Sequence, residues 1–392
     1  MLKELIRKIL GAAQVPAQQK RRLRRLPITE LRHRKVRFGE EADVRMDSVG
    51  ADHTTAFPVM RTIQFMLLAA LIVPGLSDGG ARAQTLPTAV PNGTTLTVAD
   101  QNEALQTLMV ASGEQAKLAG KVTYANFLGG PSILEAFRAH ALDLAQVGDA
   151  PPIQAQAAGE TIPIVAARVS SQPDYKFAVR PGLTISSLAD FRGKRISYGE
   201  GTGRQPFVLA ALKQAGLTRK DVTLVPLRAA DFPDAIRSGQ VDIAVLNEPH
   251  YTRYLADYAD RGASALPDTQ YERLPRGLSY LYADGDALKD PAKTAAIRDF
   301  VVHWIAANGW AKANGEAWVN AYYVKKENLK EADGRAIVAS EGNISFPFLE
   351  TLIAPQQVLV DLIYEAGDIP KRLDAKEEFD PHFDEVLGAN VN

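Results

Sequence analysis

The sequence contains no cysteine among its 392 residues. This absence excludes disulfides, iron–sulfur clusters, thiolate zinc sites and cysteine nucleophiles. The six histidines are scattered, with no His-Glu-x-x-His pair and no other pair at the spacing of metal ligands. No Walker motif occurs either. The sequence therefore predicts no metal site, no cofactor and no enzymatic activity.

A strong net charge is also absent, since 45 basic residues face 46 acidic ones. The distribution is nevertheless uneven. Residues 1–59 carry a net charge of +6, whereas residues 84–392 hold 30 basic and 38 acidic residues and carry −8. An acidic main body argues against a surface that binds nucleic acid. At about 100–200 residues per domain, the length is typical of two or three domains.

No apolar run is long enough to cross a membrane. The run Phe65–Val73 has nine residues, and a transmembrane helix needs about 20. A Pro-Gly pair and an Ala-Arg-Ala sequence follow it, which is typical of a secretory signal. We therefore predict a signal peptide over 60–83, and a mature chain beginning at Gln84. The basic extension 1–59 is interpreted as either untranslated or an unusually long leader.

The mature chain alternates short β-rich runs with amphipathic stretches, a pattern typical of parallel sheets covered by helices. The pattern begins again after Pro181-Gly182, and from Pro291 onward it is mostly helical. Two predicted crossing strands, near Phe177 and near Tyr280, bracket the second unit. The sequence thus predicts an α/β fold of two lobes, with the C-terminal helices on the first. Lobe 1 comprises 84–177 and 282–392, and lobe 2 comprises 178–281.

Four predicted strand-to-helix junctions are rich in glycine and small polar residues, and in this topology they face one cleft. Glycine allows an anion to approach the free N–H groups of a first helical turn. Any one junction is an ordinary turn, but four at corresponding positions indicate a ligand site. They read Asp100-Gln101-Asn102, Gly129-Gly130-Pro131-Ser132, Gly148-Asp149-Ala150-Pro151-Pro152 and Gly199-Glu200-Gly201-Thr202-Gly203-Arg204.

Two further patterns in the sequence invite functional interpretation. The glycines at 199, 201 and 203 do not complete a dinucleotide fingerprint, because Arg204 stands where its third glycine belongs. The aromatic residues on the predicted C-terminal helices are interpreted as core packing. They are Trp304, Trp310, Trp318, Tyr322 and Tyr323.

The order of several motifs resembles that of the solute-binding proteins of ABC transporters, within the nitrate/sulfonate/taurine family. The segment Gly148–Gly159, which reads GDAPPIQAQAAG, is similar to a first-lobe signature of the aliphatic sulfonate-binding proteins. The resemblance spans about residues 94–376. The other matching segments are Gly130–Ala136, Leu142–Ala145, Leu188–Ile196, Gly239–Ala244 and Glu365–Pro370.

This resemblance implies a type II periplasmic binding protein fold that takes a small organic anion to a permease in the inner membrane. A periplasmic monomer is expected. The implied ligand is an aliphatic sulfonate. Alternative ligands are nitrate, taurine, or a neutral pyrimidine-like or aromatic solute. An alternative function is that of an enzyme built on the same fold. The predicted ligand-binding residues are Gln101, Gly130, Pro131, Ser132, Gly148, Asp149, Thr202, Gly203, Arg204 and Glu248.

Two loops depart from the family pattern. The loop Asp100–Glu103 lacks the usual aromatic and glycine residues, and Asn247 stands where the family commonly has tryptophan. Both loops belong to the part of the pocket expected to hold the organic tail of a sulfonate. The sequence therefore leaves the size of the sulfonate open.

Overall fold

A computed structural model describes residues 85–391 of the chain. The predicted N-terminal extension, 1–59, and the predicted signal peptide, 60–83, lie outside these residues. Within them, no helix is both long and apolar enough to cross a membrane.

The first sheet has seven strands in the order β12-β11-β4-β10-β3-β1-β2. The strands β2, β1 and β3 run parallel, whereas β10, β11 and their partners pair antiparallel. Because helices cover both of its faces, the interior strand β3 is almost wholly apolar. The strands are β1 (Thr95–Gln101), β2 (Lys121–Phe127), β3 (Leu144–Val147), β4 (Ile164–Ser170), β10 (Ser279–Ala283), β11 (Ile344–Phe346) and β12 (Ala389–Val391).

The second sheet has five strands in the order β7-β6-β8-β5-β9. Its central strand β8 is buried along its whole length, and it pairs parallel with β6 and antiparallel with β5. The strands are β5 (Lys176–Val179), β6 (Arg195–Tyr198), β7 (Thr223–Pro226), β8 (Ile243–Leu246) and β9 (Ser264–Ala265). The chain thus passes from the first sheet to the second between β4 and β5, and returns between β9 and β10.

Most helices follow a strand and cover one of the two sheets. Between α8 and α9 a six-residue π-helix spans Val319–Val324. The α-helices are α1 (Ala104–Ala111), α2 (Gly130–Arg138), α3 (Ala150–Ala157), α4 (Arg204–Gln214), α5 (Phe232–Arg237), α6 (His250–Tyr258), α7 (Pro291–Ala313), α8 (Gly315–Trp318), α9 (Glu331–Ser340) and α10 (Ile353–Glu365).

The last helix, α10, packs differently from the prediction that the C-terminal helices cover the first lobe. Its apolar residues join the hydrophobic core of the second sheet and contact α4. The cause lies in α4, which is buried from Gln205 to Leu212 and so needs a cover on its outer face as well. Asp368, just after α10, completes the contact by accepting hydrogen bonds from Tyr198, Gln205 and Arg219 at 2.6–2.8 Å.

Candidate ligand-binding site

A cavity of about 360 Å³ lies between the two sheets. Its wall includes the loops that follow β1, β2 and β3 of the first sheet and those that follow β6 and β8 of the second. These loops leave the carboxyl ends of parallel strands, where helices begin and ligands of open α/β sheets commonly bind. The sequence predicted four of these five loops as strand-to-helix junctions, and it also singled out Glu248 in the fifth.

Seven of the ten predicted ligand-binding residues line this cavity: Gln101, Gly130, Gly148, Thr202, Gly203, Arg204 and Glu248. The other three are Pro131, Ser132 and Asp149. Pro131 and Ser132 point to solvent on the first turn of α2, because the buried face of that helix is formed by Gly130, Ile133 and Leu134. Asp149 lies behind the cavity wall and is only 2% exposed.

Arg204, the first residue of α4, supplies a positive charge at the cavity wall. Its Nε donates to the carbonyl of Val245 at 3.2 Å, and its Nη2 donates to Oδ1 of Asn247 at 2.6 Å. These bonds occupy two of the five N–H donors of the guanidinium. Among residues 85–391, no carboxylate lies within 4.0 Å of Arg204. Burial lowers the pKa of Arg204, but arginine stays protonated in proteins.

The start of α4 offers the backbone N–H groups of Gly203 and Arg204 beside this charge, because no side chain caps the helix. The N–H of Gln205 already donates to the carbonyl of Thr202 at 2.9 Å, and Pro206 has no N–H. The first N–H groups of a helix have no partner within it, and they attract anions. Thr202 does not supply an additional donor: its hydroxyl already donates to the carbonyl of Gly199 at 2.8 Å. The arrangement is thus an open helix N-terminus with a partly buried guanidinium at its first residue.

Gly203 is glycine because two side chains leave no room for more. A Cβ at this position would lie 2.6 Å from Oδ1 of Asp149 and would clash with the hydroxyl of Tyr175. Gly148 lies close by, since a Cβ there would be 3.8 Å from the backbone nitrogen of Gly203. A Cβ at Gly130 would come within 2.8 Å of Pro151 Cγ and 3.6 Å of the Gly201 carbonyl. The backbones of the loops from the two sheets therefore lie almost in contact at Gly148 and Gly203 and at Gly130 and Gly201.

The start of α1 is a contrasting case. The carboxylate of Asp100 accepts hydrogen bonds from the backbone N–H groups of Gln101, Leu105 and Gln106 at 2.6, 3.0 and 2.8 Å. The side chain is 2% exposed, and burial raises its pKa although these three bonds oppose the change. The chain's own carboxylate therefore occupies the place where an external anion could bind.

Two further carboxyl groups border the site. Burial raises the pKa of Asp149 to about 7, and its Oδ1 has no hydrogen-bond partner among the described residues. Asp174 lines the cavity, and burial raises its pKa to about 6, while the charges of Arg168 and Arg204 oppose the shift and that of Glu341 adds to it. Both groups therefore titrate in the range where proteins are usually handled.

The cavity wall includes residues that the sequence analysis did not assign to the site. Tyr322 and Tyr323 pack in a hydrophobic cluster with Trp318 against it, as the sequence predicted, and all three also line the cavity. Arg168, which pairs with Glu341, lines it as well. The sequence carried no signal for Arg168, because its position follows from the crossing of β4 toward the second sheet.

One group of side chains within residues 85–391 has the spacing of metal ligands: His140, Asp284 and Asp286. None of the three lines the cavity. No role in the site therefore follows from this group.

Several known proteins are similar to this chain. Residues 130–254 match the family described as NMT1/THI5 like. An aliphatic sulfonates-binding protein of Escherichia coli is 28% identical over 258 residues, which cover 66% of this chain and 78% of that protein. A protein of the same description from Bacillus subtilis is 24% identical over 270 residues, or 67% of this chain and 77% of that protein.

A solved structure is similar as well. It is the alkanesulfonate-binding protein SsuA from Xanthomonas axonopodis pv. citri bound to MOPS, with a TM-score of 0.65 and 24% identity, covering 74% of this chain and 99% of that chain. Both curated relatives are described as binding proteins and not as enzymes. The predicted resemblance is thus confirmed: the chain is similar in sequence to two aliphatic sulfonates-binding proteins, and it has the fold of the periplasmic binding proteins.

Proposed function

We propose that this chain is the periplasmic solute-binding component of an ABC importer. It captures a small organic anion, an aliphatic sulfonate above all, in the cavity between the two sheets and delivers it to a membrane permease. The observation that carries the proposal is Arg204, a partly buried cation at the open N-terminus of α4 without an ion-pair partner among residues 85–391. The sulfonate-binding relatives support the choice of anion.

The physical chemistry of this corner suits a sulfonate. A bound anion gains about 0.3–1 kcal/mol, and up to about 2 kcal/mol where partly buried, from a helix N-terminus. Each charge-assisted hydrogen bond from the guanidinium adds about 1.5–3 kcal/mol. A few such contacts together offset the cost of association and reach a micromolar dissociation constant, which corresponds to about −8 kcal/mol.

Titration calorimetry with methanesulfonate, ethanesulfonate, nitrate, taurine and a neutral pyrimidine tests the proposal. We expect a sulfonate to bind most tightly, and Arg204→Met to weaken its binding by about 1.5–3 kcal/mol. The matched control is Arg228→Met, because Arg228 is exposed and paired with Asp231 outside the cavity. If only the neutral solute binds, or if the two variants behave alike, the proposal is wrong.

A further inference from the structure

Part of the cavity wall is aromatic. Trp318 and Tyr322 stack with ring centroids 5.0 Å apart and ring planes within 4° of parallel. Tyr323 meets both of these rings at steep angles, with centroids 5.2–6.2 Å away. All three line the cavity, and the two tyrosines belong to the π-helix Val319–Val324. We call these three residues the aromatic wall.

The aromatic wall has a support of its own. Tyr322 and Tyr323 are buried in a small hydrophobic cluster with Val319, Leu329 and Ile337, separate from the cores of the two sheets. The hydroxyl of Tyr322 donates to Glu327 at 3.1 Å. Arg253 of α6 donates to the same carboxylate at 3.2 Å and to the Glu327 carbonyl at 2.6 Å. The wall is therefore fixed in place without a ligand.

Further apolar side chains extend the wall along the first-sheet side. Leu105 and Leu108 of α1 and Ala311 of α7 line the cavity there. Polar and charged side chains line both sides of the cavity, with Arg204, Asn247 and Glu248 on the second-sheet side and Arg168, Asn308 and Lys312 on the first-sheet side. The cavity thus combines the Arg204 guanidinium with an aromatic surface that has apolar neighbours. At about 360 Å³, it falls within the range of about 300–1,000 Å³ typical of pockets for organic ligands, so an inorganic anion leaves most of it empty.

We propose that the aromatic wall binds the organic tail of the ligand. The chain then prefers sulfonates with an aromatic or extended apolar tail to methanesulfonate. This inference rests on the proposed function, because the wall receives the tail only when Arg204 holds the anionic group of the same ligand. Stacked aromatic side chains offer a flat apolar surface with a specific contact geometry. The π-helix is consistent with this assignment, since such segments frequently occur at functional sites.

Titration of methane-, butane-, hexane- and benzenesulfonate against the wild type and Trp318→Ala tests the inference. For the wild type, affinity should rise by about fourfold for each methylene that the wall buries. In Trp318→Ala most of this gradient should disappear, while the affinity for methanesulfonate stays within about twofold. The matched control is Trp310→Ala, because Trp310 is also partly exposed and is not part of the cavity lining.

The outcomes separate this inference from the proposed function. The inference is overturned if the wild type binds sulfonates without a chain-length gradient. It is also overturned if Trp318→Ala and the wild type show the same gradient. Both results leave the proposed function intact. No binding of any sulfonate overturns both. If Trp318→Ala does not fold, as judged by circular dichroism, the wild-type series and Trp318→Phe decide, since Trp318→Phe should keep the gradient.

Discussion

Two helix N-termini of this protein face the same cavity and differ in what occupies them. At α1 the carboxylate of Asp100 accepts hydrogen bonds from three backbone N–H groups. At α4 no side chain caps the helix, and Arg204 adds a positive charge. In sequence both are polar junctions that follow a strand. The comparison teaches that a junction pattern predicts where an anion can bind, whereas the side chains present decide whether the place is already taken.

The largest effect is expected at the open junction. Gly203→Ala places a Cβ 2.6 Å from Oδ1 of Asp149 and against the hydroxyl of Tyr175, so the α4 loop must move away from the first sheet. We expect a loss of about 1–3 kcal/mol in sulfonate binding or in unfolding free energy, measured by calorimetry and urea denaturation. Gly120→Ala is the control, since its Cβ would meet only ordinary contacts at 3.4–3.6 Å. Equal effects of the two substitutions contradict the prediction.

The occupied junction should lose stability when its carboxylate is removed. Asp100→Ala leaves buried N–H groups of α1 without a partner, at a cost of about 1–2 kcal/mol in unfolding free energy. Asp290→Ala is a matched control, because Asp290 caps α7 with a hydrogen bond to Ala292 at 2.9 Å but is exposed. Urea denaturation should show the larger loss for Asp100→Ala. If Asp100→Ala loses less unfolding free energy than Asp290→Ala, the distinction drawn between the N-termini of α1 and α4 is wrong.

A smaller effect is expected from pH. The pKa of Asp174 lies at about 6 in the folded protein, and a bound anion nearby raises it further, so binding takes up a proton. Sulfonate affinity should therefore rise as the pH falls from 8 to 5.5. Asp174→Asn should gain about 1 kcal/mol of binding at pH 8 and lose part of this pH dependence. Asp149, with a pKa of about 7, contributes in the same direction. Calorimetry at the two pH values checks this prediction. A sulfonate affinity that falls as the pH falls contradicts the role given to Asp174.

The smallest effect is expected at Ser132. The family resemblance implies that Ser132 binds the ligand, but its side chain is exposed and is not part of the cavity lining. Ser132→Ala should therefore change sulfonate binding by less than about 0.5 kcal/mol, as is usual for surface substitutions. A loss above 1 kcal/mol in calorimetry shows that the cavity reaches this face of α2 when ligand is bound.

The sequence predicted most of the strands because their apolar runs are short, regular and separated by turn residues. It also placed the cavity, since loops at the carboxyl ends of parallel strands converge. It did not predict that Asp100 binds its own helix, because a capping and a ligand-binding carboxyl look alike in sequence. The short strands β9, β11 and β12 were missed, since two or three residues carry little periodic signal. The sequence predicted that the residues of the aromatic wall pack in a core, which they do, but not that they also line the cavity.

The contact between Arg253 and Glu327 joins α6 of the second sheet to the segment that follows the π-helix, and it has a kinetic consequence. If the two sides separate when ligand leaves, this contact must break in the same step. Because Arg253 is about one-third exposed, the ion pair contributes about 0–1 kcal/mol, which slows dissociation by about fivefold at most. The contact therefore makes residence time dependent on ionic strength, yet it is too weak to trap the ligand.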